Sequence, residues 1–160
     1  MERLWRPWRS EYVTRASESD ECFFCAHLAE NDDEKNHVLA RATDTFILLN
    51  AFPYNSGHVM VAPLRHVGEM EDLEESELLE LFSETRRAVA ALEKAYEPDG
   101  FNVGMNLGRV AGAGVPGHLH VHVVPRWGGD TNFMPVVGET KVLPEMLAET
   151  AEKLRPLLTE

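Results

Sequence analysis

HLHVHVVPRW, residues 118–127, decides how the chain is read. Three of the chain's seven histidines fall here at every second position, separated by Leu119 and Val121. Side chains on a strand alternate faces, so His118, His120 and His122 share one face, spaced about 6–7 Å apart. Leu119, Val121 and Val123 take the other. The apolar set has to meet a core, which leaves the imidazoles on a surface or in a cleft. The stretch before them, RVAGAGVPG (109–117), is rich in glycine. Small residues there let backbone N–H groups approach an oxyanion or phosphate closely.

The flanking sequence builds a sheet around that run. TFILLN (45–50) and HVMVAPL (58–64), joined by the turn-forming AFPYNSG (51–57), predict an antiparallel pair. From Asp72 to Tyr96 the spacing predicts a long helix, opened by a capping box between Asp72 and Glu75. Leu78, Phe82, Val89, Leu92 and Tyr96 fall on one face of it, and Pro98-Asp99-Gly100 ends it. FNVGMN (101–106) and HLHVHVVP (118–125) predict further strands, and Pro144 to Arg155 a last helix burying Leu147, Ala151 and Leu154. The expected fold is α+β, a mainly antiparallel sheet of about five strands with one long helix and a C-terminal helix. Residues 17–37 read as polar loop interrupted by CFFC, with His27 and His37 as surface residues.

Residues 1–160 are expected to form a single domain, large enough to bury its own core. Trp5 and Trp8 are costly to leave in water, so residues 1–15 are expected to pack as an N-terminal arm. The formal charge of −12, from 15 basic and 27 acidic residues, argues against a protein that grips a nucleic-acid polymer. Runs such as EMEDLEESE (69–77) suit a solvated exterior. No stretch approaches the roughly 18 uninterrupted apolar residues of a membrane helix, and MERLWRPWRSEYV lacks an apolar signal core. No membrane partner and a cytoplasmic location are the expectations.

The three imidazoles admit three chemical readings: a solvated strand face, a catalytic metal centre, or nucleophilic catalysis at an anionic group. A metal hydrolase would place a carboxylate nearby, and 118–127 contains no Asp or Glu. The only cysteines, Cys22 and Cys25, form a CxxC that reads as redox dithiol, disulfide or half a zinc site. The acidic SESDE before it disfavours the low thiolate pKa of a redox cysteine.

His118-Leu-His120-Val-His122-Val-Val resembles the signature of the histidine triad (HIT) superfamily of nucleotidyl hydrolases and transferases. LLNAFPYNSGHVMVAPLRH (48–66), GFNVGMNLG (100–108) and HLHVHVVPRWGGDTNF (118–133) resemble successive segments of that family in order. PRWGGDTNF resembles the bacterial branch related to diadenosine tetraphosphate phosphorylases and hydrolases. The resemblance implies cleavage of dinucleoside polyphosphates by a hydrolase, phosphorylase or nucleotidyltransferase, through a nucleotidyl-histidine intermediate. His120 would then be the nucleophile and His122 a phosphate contact. Asn106 would lie beside the phosphates, Asn50 at the ribose, and His58 on the wall behind the triad. Phe52, Tyr54 and Trp127 are candidate surfaces for a base. Gly114 and Val115 stand where the family carries a Gln and a Ser or Thr, so backbone N–H groups would replace side-chain phosphate contacts. Similarity to galactose-1-phosphate uridylyltransferase and several bacterial HIT proteins implies a structural zinc on Cys22, Cys25, His66 and His118. It also implies a homodimer, with LWRPWR clamping the second subunit. The alternative is a non-catalytic nucleotide-binding or interaction protein using the same cleft.

Overall fold

The computed structural model describes residues 22–131 and 143–159. The expected arm at 1–15 lies outside them. Helix α1 (Phe23–Glu30) leads into strands β1 (Val38–Arg41), β2 (Thr45–Leu49) and β3 (Val59–Pro63). The long helix α2 (Glu75–Tyr96) follows, then β4 (Gly100–Gly104), β5 (Val121–Arg126) and helix α3 (Leu147–Leu158). The five strands form one antiparallel sheet in the order β1-β2-β3-β5-β4. Among the described residues no helix is long and apolar enough to cross a membrane.

The sheet is covered on both faces, which single-face alternation does not disclose. Ile47, Leu49, Val59, Val61, Leu119, Val121 and Val123 pack against Leu81, Ala88 and Leu92 of α2 and Ala151, Leu154 and Leu158 of α3. Phe46, Leu48, Met60 and Ala62 point the other way and pack against Phe24 of α1. Strands β2 and β3 are therefore buried along their whole length, like strands sandwiched between two layers.

Several expectations change here. The strand expected over 118–125 joins the ladder only at Val121; His118 and His120 lie in the segment leading into it. Leu119 N–H is taken instead by the Val67 carbonyl at 2.7 Å, so that segment pairs with a loop rather than a strand. The α2 entry is later than Asp72: the Glu77 carboxylate accepts the Glu74 N–H at 2.8 Å. The buried face of α2 is Glu77, Leu81, Thr85, Ala88, Ala91 and Leu92, while Phe82 stays 48% exposed. The CFFC stretch is not loop: it opens α1 directly, with Cys22 at the N-cap. Helix α3 begins three residues past Pro144, at Leu147. His27 and His37 are half-buried rather than on the surface.

One glycine is demanded by its place. Gly57 has φ +75°, and a Cβ there would meet Leu92 at 3.0 Å and Pro125 at 3.2 Å. It turns the β2–β3 connection tightly enough to bring His58 back under β5.

Candidate active site and metal centre

The β2–β3 connection places its side chains through its own hydrogen bonds. Asn50 Oδ1 accepts the Phe52 N–H at 2.9 Å, a local bond typical of Asn in turns. His58 Nδ1 accepts the Tyr54 N–H at 3.0 Å. An amide N–H can only donate, so the neutral His58 ring carries its hydrogen on Nε2. His58 Nε2 lies 3.0 Å from His122 Nδ1 and donates to it. The neutral His122 ring must then hold its own hydrogen on Nε2. A backbone N–H thus fixes two ring tautomers in series. Asn50 Nδ2 stands 3.5 Å from His58 Nε2, a contact of two donors rather than a bond.

His118 and His120 are set by carbonyls, which only accept. His118 Nε2 donates to the Pro63 carbonyl at 2.8 Å, leaving the Nδ1 lone pair facing the cysteines. His120 Nδ1 donates to the His118 carbonyl at 2.8 Å, leaving its lone pair on Nε2. His118 is fully buried and His120 is 6% exposed, so these rings lie deep rather than on an open surface. Phe24 covers both, its ring 4.8 Å from His118 and 5.0 Å from His120, with the His66 ring 5.3 Å from His118 and the His122 ring 4.8 Å from His120. Even so, His120 Nε2 is not a fully buried atom, and among the described residues it makes no hydrogen bond. Its lone pair keeps access to solvent. Burial pushes the His120 pKa down, partly opposed by its bond to the His118 carbonyl. Burial likewise lowers His118, to about 4, with His66 and His120 adding a smaller push.

Cys22, Cys25, His66 and His118 converge, each offering one ligand atom, with all four atoms within 4.8 Å of one another. Cys22 Sγ is 3.3 Å and Cys25 Sγ 3.6 Å from His118 Nδ1, and Cys25 Sγ is 3.3 Å from His66 Nδ1. Tetrahedral zinc with ordinary Zn–S and Zn–N bonds would set such S···N edges at about 3.6 Å. The tetrad therefore fits a four-coordinate thiophilic ion. The His118 bond to Pro63 supplies the second contact that orients a metal-binding imidazole. Without a cation, burial and the neighbouring Cys22 push the Cys25 thiol up to about 11, a charge preference that a bound divalent ion reverses. No disulfide joins the two cysteines.

The other expected residues gather less tightly. Gly104 pairs with His122, and half-buried Asn106 follows two residues beyond the end of β4. Gly114 and Val115 are half-buried in the loop before the triad, tied to it by the Val115 carbonyl accepting the His118 N–H at 3.2 Å. A cavity of about 880 Å³ lined by Tyr96, Trp127, Glu149 and Lys153 lies on the α2–α3 side of the sheet, away from the histidines. Trp127 sits there, 6.4 Å from the Tyr96 ring, not beside the triad. Sequence reasoning passed over Phe24, the Pro63 carbonyl and Gly68. A Cβ on Gly68 would fall 2.8 Å from the Pro116 carbonyl, so the loop before His118 rests directly on that backbone. An isolated glycine two residues past a candidate ligand histidine, in HVG, was the signal that could have found it.

The model of the HIT domain matches residues 31–129. The chain is 42% identical over 161 residues to an "AP-4-A phosphorylase" of Mycobacterium tuberculosis, covering 96% of this chain and 83% of that protein. A "Bis(5'-adenosyl)-triphosphatase" of Dictyostelium discoideum is 32% identical over 72% of this chain and 81% of its own length. A zinc-bound histidine triad family protein of Mycobacterium smegmatis shares the fold, with a TM-score of 0.71 and 24% identity over 87% of this chain and 94% of that one.

Proposed function

The chain belongs to the HIT domain family, and from that premise we propose that it splits dinucleoside polyphosphates through a nucleotidyl–His120 intermediate. The observation that carries the reading is the His120 tautomer: Nδ1–H is held by the His118 carbonyl, and the Nε2 lone pair reaches solvent. A neutral imidazole is a competent nucleophile near pH 7, and lowering its pKa by burial keeps it neutral.

In the first step the Nε2 lone pair bonds to the α-phosphorus as the bond to the bridging oxygen breaks. The electron pair leaves with the polyphosphate. Positive charge develops on the ring as the N–P bond forms, and the His118 carbonyl at Nδ1–H stabilises it. His122 presents Nε2–H to a phosphate oxygen, with His58 holding it in that tautomer. Asn50, Asn106 and the backbone of Gly114 and Val115 line the remaining approach. In the second step an acceptor oxygen attacks phosphorus, the N–P bond breaks, and the pair returns to Nε2.

Similarity to the "AP-4-A phosphorylase" over 96% of this chain favours inorganic phosphate as that acceptor. Diadenosine tetraphosphate would then release ATP in the first step and ADP in the second. Product analysis with and without phosphate tests this. ADP and ATP only with phosphate supports phosphorolysis, and AMP with ATP in its absence supports hydrolysis. Neither product, with no alkali-stable labelled protein, returns the chain to the nucleotide-binding alternative.

Cys22, Cys25, His66 and His118 would hold a structural zinc that anchors α1 and the entry to β5, without touching substrate. A homodimer is supported by β4, the sheet edge that leaves Asn102, Val103 and Gly104 exposed, and by Phe82 on α2. A cytoplasmic enzyme acting on nucleotides, not on nucleic acid, is the role that fits this chemistry.

A further inference from the structure

Phe24 sits between the two cysteines in sequence, and its side chain belongs to neither the ligand set nor the open cleft. It is fully buried. Its ring lies 4.8 Å from His118, tilted by 39°, and 5.0 Å from His120, tilted by 46°. One ring therefore leans on a metal-ligating imidazole and on the imidazole with the open Nε2. A second link runs through the backbone, since the His118 carbonyl takes the His120 Nδ1–H at 2.8 Å. That bond fixes where Nδ1 lies. The Phe24 face blocks the swing of the ring about it.

Phe24 is held from two sides, by Phe46, Leu48, Met60 and Ala62 of the sheet and, through the chain, by the two cysteines that flank it. Helix α1 has eight residues, no side-chain cap at Cys22, and Phe24 as its one fully buried residue. Helices this short do not persist without tertiary anchors. The anchors of α1 among the described residues are Phe24, with Phe23 and Leu28 packed beside it, Asn36 Nδ2 donating to the Glu30 carboxylate, and the two cysteines flanking Phe24, whose sulfurs face His66 and His118.

We propose that Phe24 is a positioning residue that makes the metal centre and the His120 ring one mechanical unit, so that metal occupancy sets the aim of Nε2. This rests on the reading of His120 as nucleophile and of the Cys/His tetrad as a metal site. The metal is then more than a fold anchor. Its loss removes the two sulfur anchors on either side of Phe24, leaves the ring held by the sheet core alone, and loosens the face against which His120 is set.

The test compares Phe24→Leu with Phe46→Leu. Phe46 is equally buried and packs edge-on against Phe24 at 6.1 Å, so its variant reproduces the core loss without removing the Phe24 face. Zinc per chain, thermal unfolding, nucleotide Kd, single-turnover labelling of the protein, and the His120 ring tautomer by proton–nitrogen NMR in ligand-free protein are measured for both. Phe24→Leu should keep its zinc and bind nucleotide within about threefold. Its labelling rate should fall about tenfold or more, since small misplacements of a reacting group are costly. Its His120 ring should shift from a single Nδ1–H tautomer to an exchange average. Phe46→Leu should keep both the rate and the ring signal. Equal labelling rates and equal ring signals in the two variants would overturn the proposal. Chelated wild-type protein, verified as folded by circular dichroism, tests the same coupling should Phe24→Leu fail to fold. Its His120 ring signal should change as in that variant, and an unchanged signal overturns the coupling. Labelling that survives His120→Ala, or wild-type protein that binds no zinc, would instead remove the underlying reading, and the ring signal separates those failures from this one.

Discussion

Replacing Asp130 by Asn should cost about 2–3 kcal/mol at pH 7, and the cost should fade in acid. The Asp130 carboxylate gathers four donors: Arg126 Nε at 2.6 Å, Arg126 Nη2 at 2.9 Å, Asn55 Nδ2 at 2.8 Å and the Trp127 N–H at 3.2 Å. Three meet one oxygen and one meets the other. An Asn in its best orientation keeps the three and turns its NH₂ against Arg126 Nη2. One charge-assisted bond is lost, worth about 1.5–3 kcal/mol, and the other three are weakened. Arg126 is 43% exposed, so water recovers much of its solvation and the larger penalty of a fully buried broken pair does not apply. For a chain of this size the loss lowers Tm by about 5–10 °C. Arg126 holds the Asp130 carboxyl well below the usual carboxylate range. A depressed carboxylate stabilises the fold fully above its unfolded pKa of about 4 and loses that contribution as pH falls. The gap between wild type and variant should therefore narrow by up to about 1.4 kcal/mol per pH unit below about pH 4. Urea unfolding at pH 7, 5, 4 and 3 reads it. A gap that stays constant down to pH 3, or none at pH 7, refutes the ion-pair account.

His120→Ala should lose at least about 10³-fold in turnover while nucleotide binding survives, because a second residue rarely replaces a nucleophile; comparable turnover in a single-turnover assay would end the covalent route. Cys25→Ser should lose its metal, read by elemental analysis, and lower Tm, because metal-binding energy is folding energy; a variant with full zinc and unchanged Tm would remove the tetrad. Val103→Lys places a charge on the exposed edge of β4 and should halve the mass seen by light scattering, as edge charges block strand pairing. An unchanged dimer would put the interface elsewhere.

The alternation of Leu119, Val121 and Val123 against three histidines was legible because a sheet face must be apolar where helices cover it. What it could not reveal was a second apolar layer on the histidine side. That layer depends on Phe24, in a stretch whose acidic approach and lack of a Ser, Thr, Asp or Asn cap read as loop. The expected face of α2 holds in its second half, where Val89, Leu92 and Tyr96 reach the core, and fails in its first, where Leu78 and Phe82 do not. The burial chosen by the fold runs through small Thr85, Ala88 and Ala91 instead, which let the helix approach the sheet closely. Strand β1, four residues long, carries too short a pattern to announce itself. The ligand tetrad was read from resemblance rather than spacing, since Cys25 and His66 are 41 residues apart and meet only through the fold.

His118 and His120 are neighbours on one short segment, yet they expose opposite nitrogens, and in each case a peptide oxygen makes the choice. Peptide oxygens do not ionise in the range where proteins stay folded, so the choice does not drift with acidity as it would beside a carboxylate. Side chains around the segment can be exchanged without swapping which ring offers Nδ1 to the cysteines and which offers Nε2. An electrophilic probe offered to the folded protein would accordingly mark one imidazole of the pair and spare the other.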